Sequence, residues 1–301
     1  MIKGSVAALV TPMTADGMLE LDRLAGLVER QVAGGSAGVV VGGTTGESAS
    51  LSGGELAELV AEAARAAAGR LTVIAGTGSN DTRRAVALTR RAFAAGADAC
   101  LVVTPSYNKP EQHGLEAHFS AVAEAATGPV LLYNVPGRTA CDLQPETVAR
   151  LRRVANIVGI KEATGSTARA RRLRELCGDD FLILSGDDPT FVGLIDGAGA
   201  TGIVSVTANV APREMAEVCR LALAGDVAAA RALNERLMPL HKALFVESNP
   251  IPVKWLLAEQ GQIGSGLRLP LTPLRARHAE TVADAYRAAV AAPATTGMLE
   301  A

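Results

Sequence analysis

The sequence predicts an α/β fold, a closed (β/α)8 TIM barrel over residues 1–224 with a small C-terminal helical domain over residues 225–301. Three observations predict it. Eight short apolar runs recur along the chain, the stretches between them are helical in pattern, and the strand signal stops after residue 210. A doubly wound sheet fits less well. It usually has fewer strands and a glycine-rich phosphate turn after the first, where this chain has VTPM.

The runs are SVAALVTP (5–12), AGVVVGGTT (37–45), LTVIAGTG (71–78) and ACLVVTP (99–105), then PVLLYNVP (129–136), NIVGIKEAT (156–164), FLILSGDD (181–188) and TGIVSVTAN (201–209). Each is rich in Val, Ile or Leu without strict alternation, as strands buried on both faces are. Each ends in turn-forming or capping residues. Among the spacers, 52–68 opens on Ser52 with Glu55 three residues later, a capping box, and 80–97 is amphipathic and ends near Gly96. Residues 212–225 read as the eighth helix of the barrel. Residues 227–245, 252–261 and 271–292 read as helices of the C-terminal domain, and the tail 293–301 has no amphipathic pattern and is expected to fray.

Composition excludes several function classes. The 301 residues are 49% hydrophobic and 20% charged, with a net charge of -2, which argues against an electrostatic grip on nucleic acid or an anionic membrane. The opening MIKGSVAALVTP lacks a small-residue cleavage site and its apolar run stops at Pro12, so a soluble cytoplasmic protein is expected. Cys100, Cys141, Cys177 and Cys219 follow no C-x-x-C pattern and read as buried reduced thiols. His113, His118, His241 and His278 fall in helical segments without metal-ligand spacing, and neither a dinucleotide fingerprint nor a P-loop lysine is present. A Zn- or Fe-dependent site is therefore not expected.

In such barrels the reacting groups sit at the C-terminal ends of the strands. Applied here, that rule selects Thr44 and Thr45 after strand two, Tyr107 after strand four, and Tyr133 and Arg138 on and after strand five. It adds Lys161 on strand six, Gly186 after strand seven, and Ile203 and Ser205 on strand eight. GGTTGES (42–48) has two readings. Its hydroxyls cap the next helix, or its hydroxyls and backbone N–H groups form a nest for a small carboxylate. Lys161 interrupts an apolar run in a chain with 29 basic residues, of which only Lys3, Lys109, Lys161, Lys242 and Lys254 are lysines. It either pairs with an acid between helices or acts as a reagent. Glu162 is a poor partner, because adjacent strand residues point to opposite faces. Gly159 and Ala163, on the same face as Lys161, are small and are expected to leave room for a long side chain and a ligand. Desolvation disfavours the charged amine, and a neutral amine condenses with carbonyls to a Schiff base. Position alone leaves both readings of Lys161 open.

Together GTTGES, YNVPGRT, GIKEATG, SGDD, SVTANV and NPIPVKW resemble the dihydrodipicolinate synthase (4-hydroxy-tetrahydrodipicolinate synthase) family of pyruvate-dependent class I aldolases, from GSVAALVTPM near the start to LRLPLTP near residue 273. The lysine of strand six and the tyrosine of strand five are shared across the wider pyruvate-aldolase superfamily. The resemblance implies a lyase of lysine biosynthesis, on the diaminopimelate route, that condenses pyruvate with L-aspartate 4-semialdehyde. It implies that Lys161 forms the Schiff base and needs no other cofactor, that Thr45 holds the pyruvate carboxylate, and that the Ile203 carbonyl lies beside the bound pyruvate. Tyr133 would shuttle protons, with Thr44 and Tyr107 completing a hydroxyl relay. Tyr107 would enter the site of a neighbouring subunit, making a homodimer the smallest competent unit, usually doubled to a homotetramer. Arg138 would bind the carboxylate of the second substrate, and Gly186 would leave space where backbone nears the site.

The resemblance also implies a regulatory cleft for L-lysine at Ser48, Ala49, Gly53, Leu56, Asn80, Arg84 and Ser106. Inhibited members often carry histidines at the positions of Gly53 and Leu56, an acid at Arg84 and an aromatic at Ser106, so this cleft reads as vestigial and lysine feedback as weak or absent. Two alternatives remain at the level of sequence: a sister lyase acting on N-acetylneuraminate or a keto-deoxy-sugar acid, and a paralogue that binds ligand without catalysis.

Overall fold

The computed structural model describes residues 2–291; the tail expected to fray lies outside them. Eight strands follow in chain order: β1 Gly4–Ala8, β2 Gly38–Val41, β3 Thr72–Gly76, β4 Ala99–Val103, β5 Val130–Asn134, β6 Ile157–Glu162, β7 Leu182–Ser185 and β8 Gly202–Ser205. All are parallel and close into a barrel in sequential order. The closing seam is a β1–β8 pairing that aligns Gly4 with Gly202 and Val6 with Val204. A Cβ on Gly202 would stand 2.1 Å from the Gly4 carbonyl oxygen, so glycine is what lets the two backbones meet there.

Helices pack outside: α1 Leu21–Ala33, α2 Gly53–Ala67, α3 Thr82–Ala94, α4 Gln112–Ala125, α5 Pro136–Thr139, α6 Pro145–Leu151, α7 Thr167–Cys177, α8 Phe191–Ala198 and α9 Pro212–Leu223. The predicted capping box starts α2. Ser52 Oγ accepts from the Glu55 N–H and Glu55 Oε2 accepts from the Ser52 N–H, at 3.2 Å and 2.8 Å. Among the described residues three further helices follow α9: α10 Val227–Ala243, α11 Ile251–Glu259 and α12 Ala276–Val290. The last of these starts later than the expected 271. Pro273 biases the residue before it away from the helical region, and Arg275 is still extended, its N–H donating to Glu247 Oε1 at 3.1 Å.

The core has two layers. Val6, Ala8, Val40, Ile74, Leu101, Leu131, Leu182, Leu184 and Val204 fill the barrel interior, and Tyr133 joins them. Alternate residues of the same strands face the helices in a larger outer core with Val39, Val73, Val102, Leu132, Ile160, Ile183 and Ile203. Burial on both faces explains why the strands show no polar alternation. The strands are shorter than the apolar runs that announced them. The runs continue past the ladder into the loops at the strands' C-terminal ends, and those loops build the site.

Candidate active site

β5 and β6 bring Tyr133 and Lys161 side by side as register partners. Both point into the barrel, and Lys161 is only 7% exposed. Its Nζ lies over the Tyr133 ring, 4.3 Å from the centroid. Among the described residues Lys161 makes no ion pair. Its neighbour Glu162 faces the other way, fully buried against the outer layer. There Glu162 Oε2 accepts from Arg169 Nε at 3.0 Å and from Asn134 Nδ2 at 3.2 Å, and Oε1 accepts from the Thr164 N–H at 2.8 Å. The acid beside Lys161 in sequence is therefore fully engaged elsewhere, and among the described residues no carboxylate pairs with the Lys161 amine.

Gly186 abuts the lysine. A Cβ there would come within 2.8 Å of Lys161 Cε and 2.6 Å of the Ala163 Cβ. Gly159 has a different role from the one expected. Its missing side chain leaves no room for the lysine, because a Cβ would stand 2.5 Å from the Leu182 Cβ and 2.9 Å from Leu131 Cδ2. Gly159 lets the neighbouring strands fill the barrel floor beneath Lys161.

A small cavity of about 30 Å³ opens at this end of the barrel, lined by Lys161, Tyr133, Thr44, Thr45, Gly43 and Ser48 among others. Neither threonine caps a helix: Ser52 caps α2, and the short 3-10 turn Ser48–Ser50 has no side-chain cap. The Thr44 and Gly43 carbonyls accept from the N–H groups of Glu47 and Ser48. The N–H groups of Thr44 and Thr45, which line the cavity, and of Gly46 next to them make no hydrogen bond among the described residues. That is the arrangement of an anion nest.

The loop is held from the far end of the chain. Asn249 Nδ2 donates to Thr45 Oγ1 at 2.9 Å. Glu47, buried with φ 58°, pairs with buried Lys254 and accepts from the Arg268 N–H at 3.1 Å. Burial lowers the Lys254 ammonium from its ordinary range, against the opposing pull of Glu47. Asn249 and Lys254 belong to NPIPVKW, yet nothing local in that motif marks a partner so distant in sequence.

Of the expected catalytic and substrate-binding residues, Tyr107, Arg138, Gly186 and Ile203 are not in the lining of this cavity. Tyr107 is 91% exposed with φ 75°, a conformation that costs a bulky residue and that functional sites commonly retain. Arg138, on α5 beyond β5, is exposed and makes no ion pair among the described residues. Ile203 pairs in register with Ser5 and Ser185, and its side chain faces the outer core. The neighbouring Ser205 Oγ donates to buried Asp188, which also accepts from the Val206 N–H, so Ser205 fixes the end of β8.

A larger cavity of about 280 Å³ adjoins the first and shares Gly42, Ser48, Gly76, Gly78 and Val103 with it. It gathers six of the seven residues assigned to the regulatory cleft: Ser48, Ala49, Leu56, Asn80, Arg84 and Ser106. Gly53 is not in its lining and packs toward Leu88 and Arg91. The lining carries one guanidinium and no carboxylate.

The model of the dihydrodipicolinate synthetase family matches residues 1–289. The chain is 58% identical to the 4-hydroxy-tetrahydrodipicolinate synthase of Alcanivorax borkumensis over 274 residues, 91% of this chain and 93% of the relative. It is 56% identical to that of Pseudomonas aeruginosa over 287 residues, 95% of this chain and 98% of the relative. Among solved structures, the chloride-inhibited dihydrodipicolinate synthase of Acinetobacter baumannii, complexed with pyruvate, superposes with a TM-score of 0.93. It is 48% identical, covering 96% of this chain and 99% of the other. On the barrel, the lysine at its mouth and these likenesses together, the chain belongs to the dihydrodipicolinate synthetase family.

Proposed function

We propose that the chain is a 4-hydroxy-tetrahydrodipicolinate synthase that condenses pyruvate with L-aspartate 4-semialdehyde through an imine on Lys161. The observation that carries it is the buried Lys161 amine, without a carboxylate partner, over Tyr133 in a cavity it shares with Thr44 and Thr45.

The Lys161 amine attacks the ketone carbon of pyruvate, and the carbinolamine loses water to give the imine. Each stage moves one proton, and a phenol beside the nitrogen can give and take one at a time. That is the role we assign to Tyr133, with Thr44 as its relay partner. The free N–H groups of the GGTTGES loop and the Thr45 hydroxyl suit the carboxylate. The imine draws electrons, the methyl group loses a proton, and the resulting enamine attacks the aldehyde. The amine of the second substrate then displaces Lys161 and closes the ring. The imine is itself the electron sink, so the reading calls for no cofactor. The unpaired Arg138 guanidinium suits the second carboxylate. The exposed, strained Tyr107 suits a residue lent to another copy's site, which makes a homodimer or homotetramer the working unit. Four free, buried cysteines accord with a reducing cytoplasm.

A coupled assay with pyruvate and aspartate semialdehyde tests the reading. Turnover with that aldehyde is expected; turnover confined to sugar acceptors, or none, would overturn it. L-Lysine added to the same assay is expected to show half-inhibition only above about 1 mM, since the adjoining cleft offers its amine a guanidinium and no carboxylate.

A further inference from the structure

We propose that Asn249 is a positioning residue for pyruvate binding, setting the direction in which the Thr45 hydroxyl donates. The proposal rests on the reading of Thr45 as a ligand of the pyruvate carboxylate.

A hydroxyl has one proton to give and two lone pairs that accept. Asn249 Nδ2 occupies a lone pair of Thr45 Oγ1 at 2.9 Å, and both residues are buried. No other side chain or carbonyl among the described residues accepts from Thr45. Its proton is therefore free for the cavity that Thr45 lines with Lys161 and Tyr133. A carboxylate only accepts, so it needs a donor there. An acceptor at position 249 would capture the Thr45 proton and present a lone pair to the ligand.

Asn249 Oδ1 is buried with no hydrogen-bond partner among the described residues, so the bond to Thr45 is the one that orients the amide. It sits just before α11, whose Lys254 is locked to Glu47 two residues beyond Thr45. The C-terminal helical segment thus grips the loop at two points, 204 and 207 residues away in sequence. One contact fixes the backbone and the other fixes the polarity of the hydroxyl.

The test is a double-mutant cycle of Asn249→Asp and Thr45→Val. It is read as the pyruvate concentration that half-saturates borohydride trapping at Lys161, which requires no turnover. Asn249→Asp alone is expected to raise that concentration about tenfold or more. The KM for aspartate semialdehyde should move less than about twofold. In the Thr45→Val background, which has no hydroxyl to direct, Asn249→Asp should change the pyruvate value less than about twofold. Equal effects in both backgrounds, or both substrates weakened alike, would overturn the proposal. Asn249→Leu, which also removes the donor, runs the same cycle should the aspartate variant fail to fold, with the same criterion of non-additivity. Failure of the unaltered protein to trap pyruvate would instead overturn the functional reading itself.

Discussion

Lys161 owes its chemistry to what surrounds it on three sides. Tyr133 lies under its amine, Gly186 lies against its stem, and the one nearby acid in sequence is tied up on the opposite face. Gly186→Ala tests the second of these. The added methyl would meet Lys161 Cε at 2.8 Å and the Ala163 Cβ at 2.6 Å, so the lysine must shift. Overpacking of this kind costs about 1–3 kcal/mol of stability. Displacing a reacting group by about 1 Å is expected to lower kcat about 100-fold, read by steady-state kinetics beside a thermal melt. At this scale the sequence was informative where the rule was local. Strand periodicity put Lys161 and Glu162 on opposite faces, and they stand so. It misread Gly159, because alternation says which face a residue is on and not what adjacent strands have placed there. Leu182 and Leu131 have filled that space.

At the scale of elements, the ends of β5 and β6 are set by a buried polar cluster rather than by the ladder alone. Arg169 on α7 bridges Glu162 and Asp142, and Asn134 donates to both of those carboxylates. Asn134 Oδ1 also accepts from the Leu143 N–H at 2.9 Å, fixing the segment that follows Arg138. Removing the guanidinium leaves Glu162 as an uncompensated buried charge. Arg169→Ala is therefore expected to lose about 3 kcal/mol or more, measured as a shift of the urea midpoint without a change in slope. These partners are seven and 27 residues apart, too irregular for any periodic pattern to reveal. The eight strands themselves were legible, because each strand is a continuous apolar run, but their ends were overestimated where such runs continue into site-forming loops. The Thr45–Asn249 and Glu47–Lys254 contacts were not legible at all, since only the closed barrel brings those segments together.

Across the whole molecule, the segment after α11 ties back to the start of α2. The Arg268 guanidinium bonds Glu55 and the Gly17 and Ser50 carbonyls, and holds the Glu55 carboxyl down at about 2 against the opposing effect of burial. The sign follows from that depression. The contribution of Glu55 to stability is present above the ordinary value of 4.5 and is lost as pH falls toward about 2. Glu55→Gln keeps a capping-box side chain but no charge. It is expected to lose about 1 kcal/mol at neutral pH, a figure discounted for partial exposure. Its melting temperature should also fall less steeply than that of the parent between those two pH values.

Every step of the proposed reaction requires that Lys161 bind pyruvate covalently. The direct measurement is borohydride reduction of the protein in the presence of pyruvate, followed by mass spectrometry of intact chain and peptides. One reduced pyruvate per chain is expected, on the peptide containing Lys161, and no adduct in Lys161→Ala. An adduct that persists in that variant, or none in the unaltered protein, would contradict it.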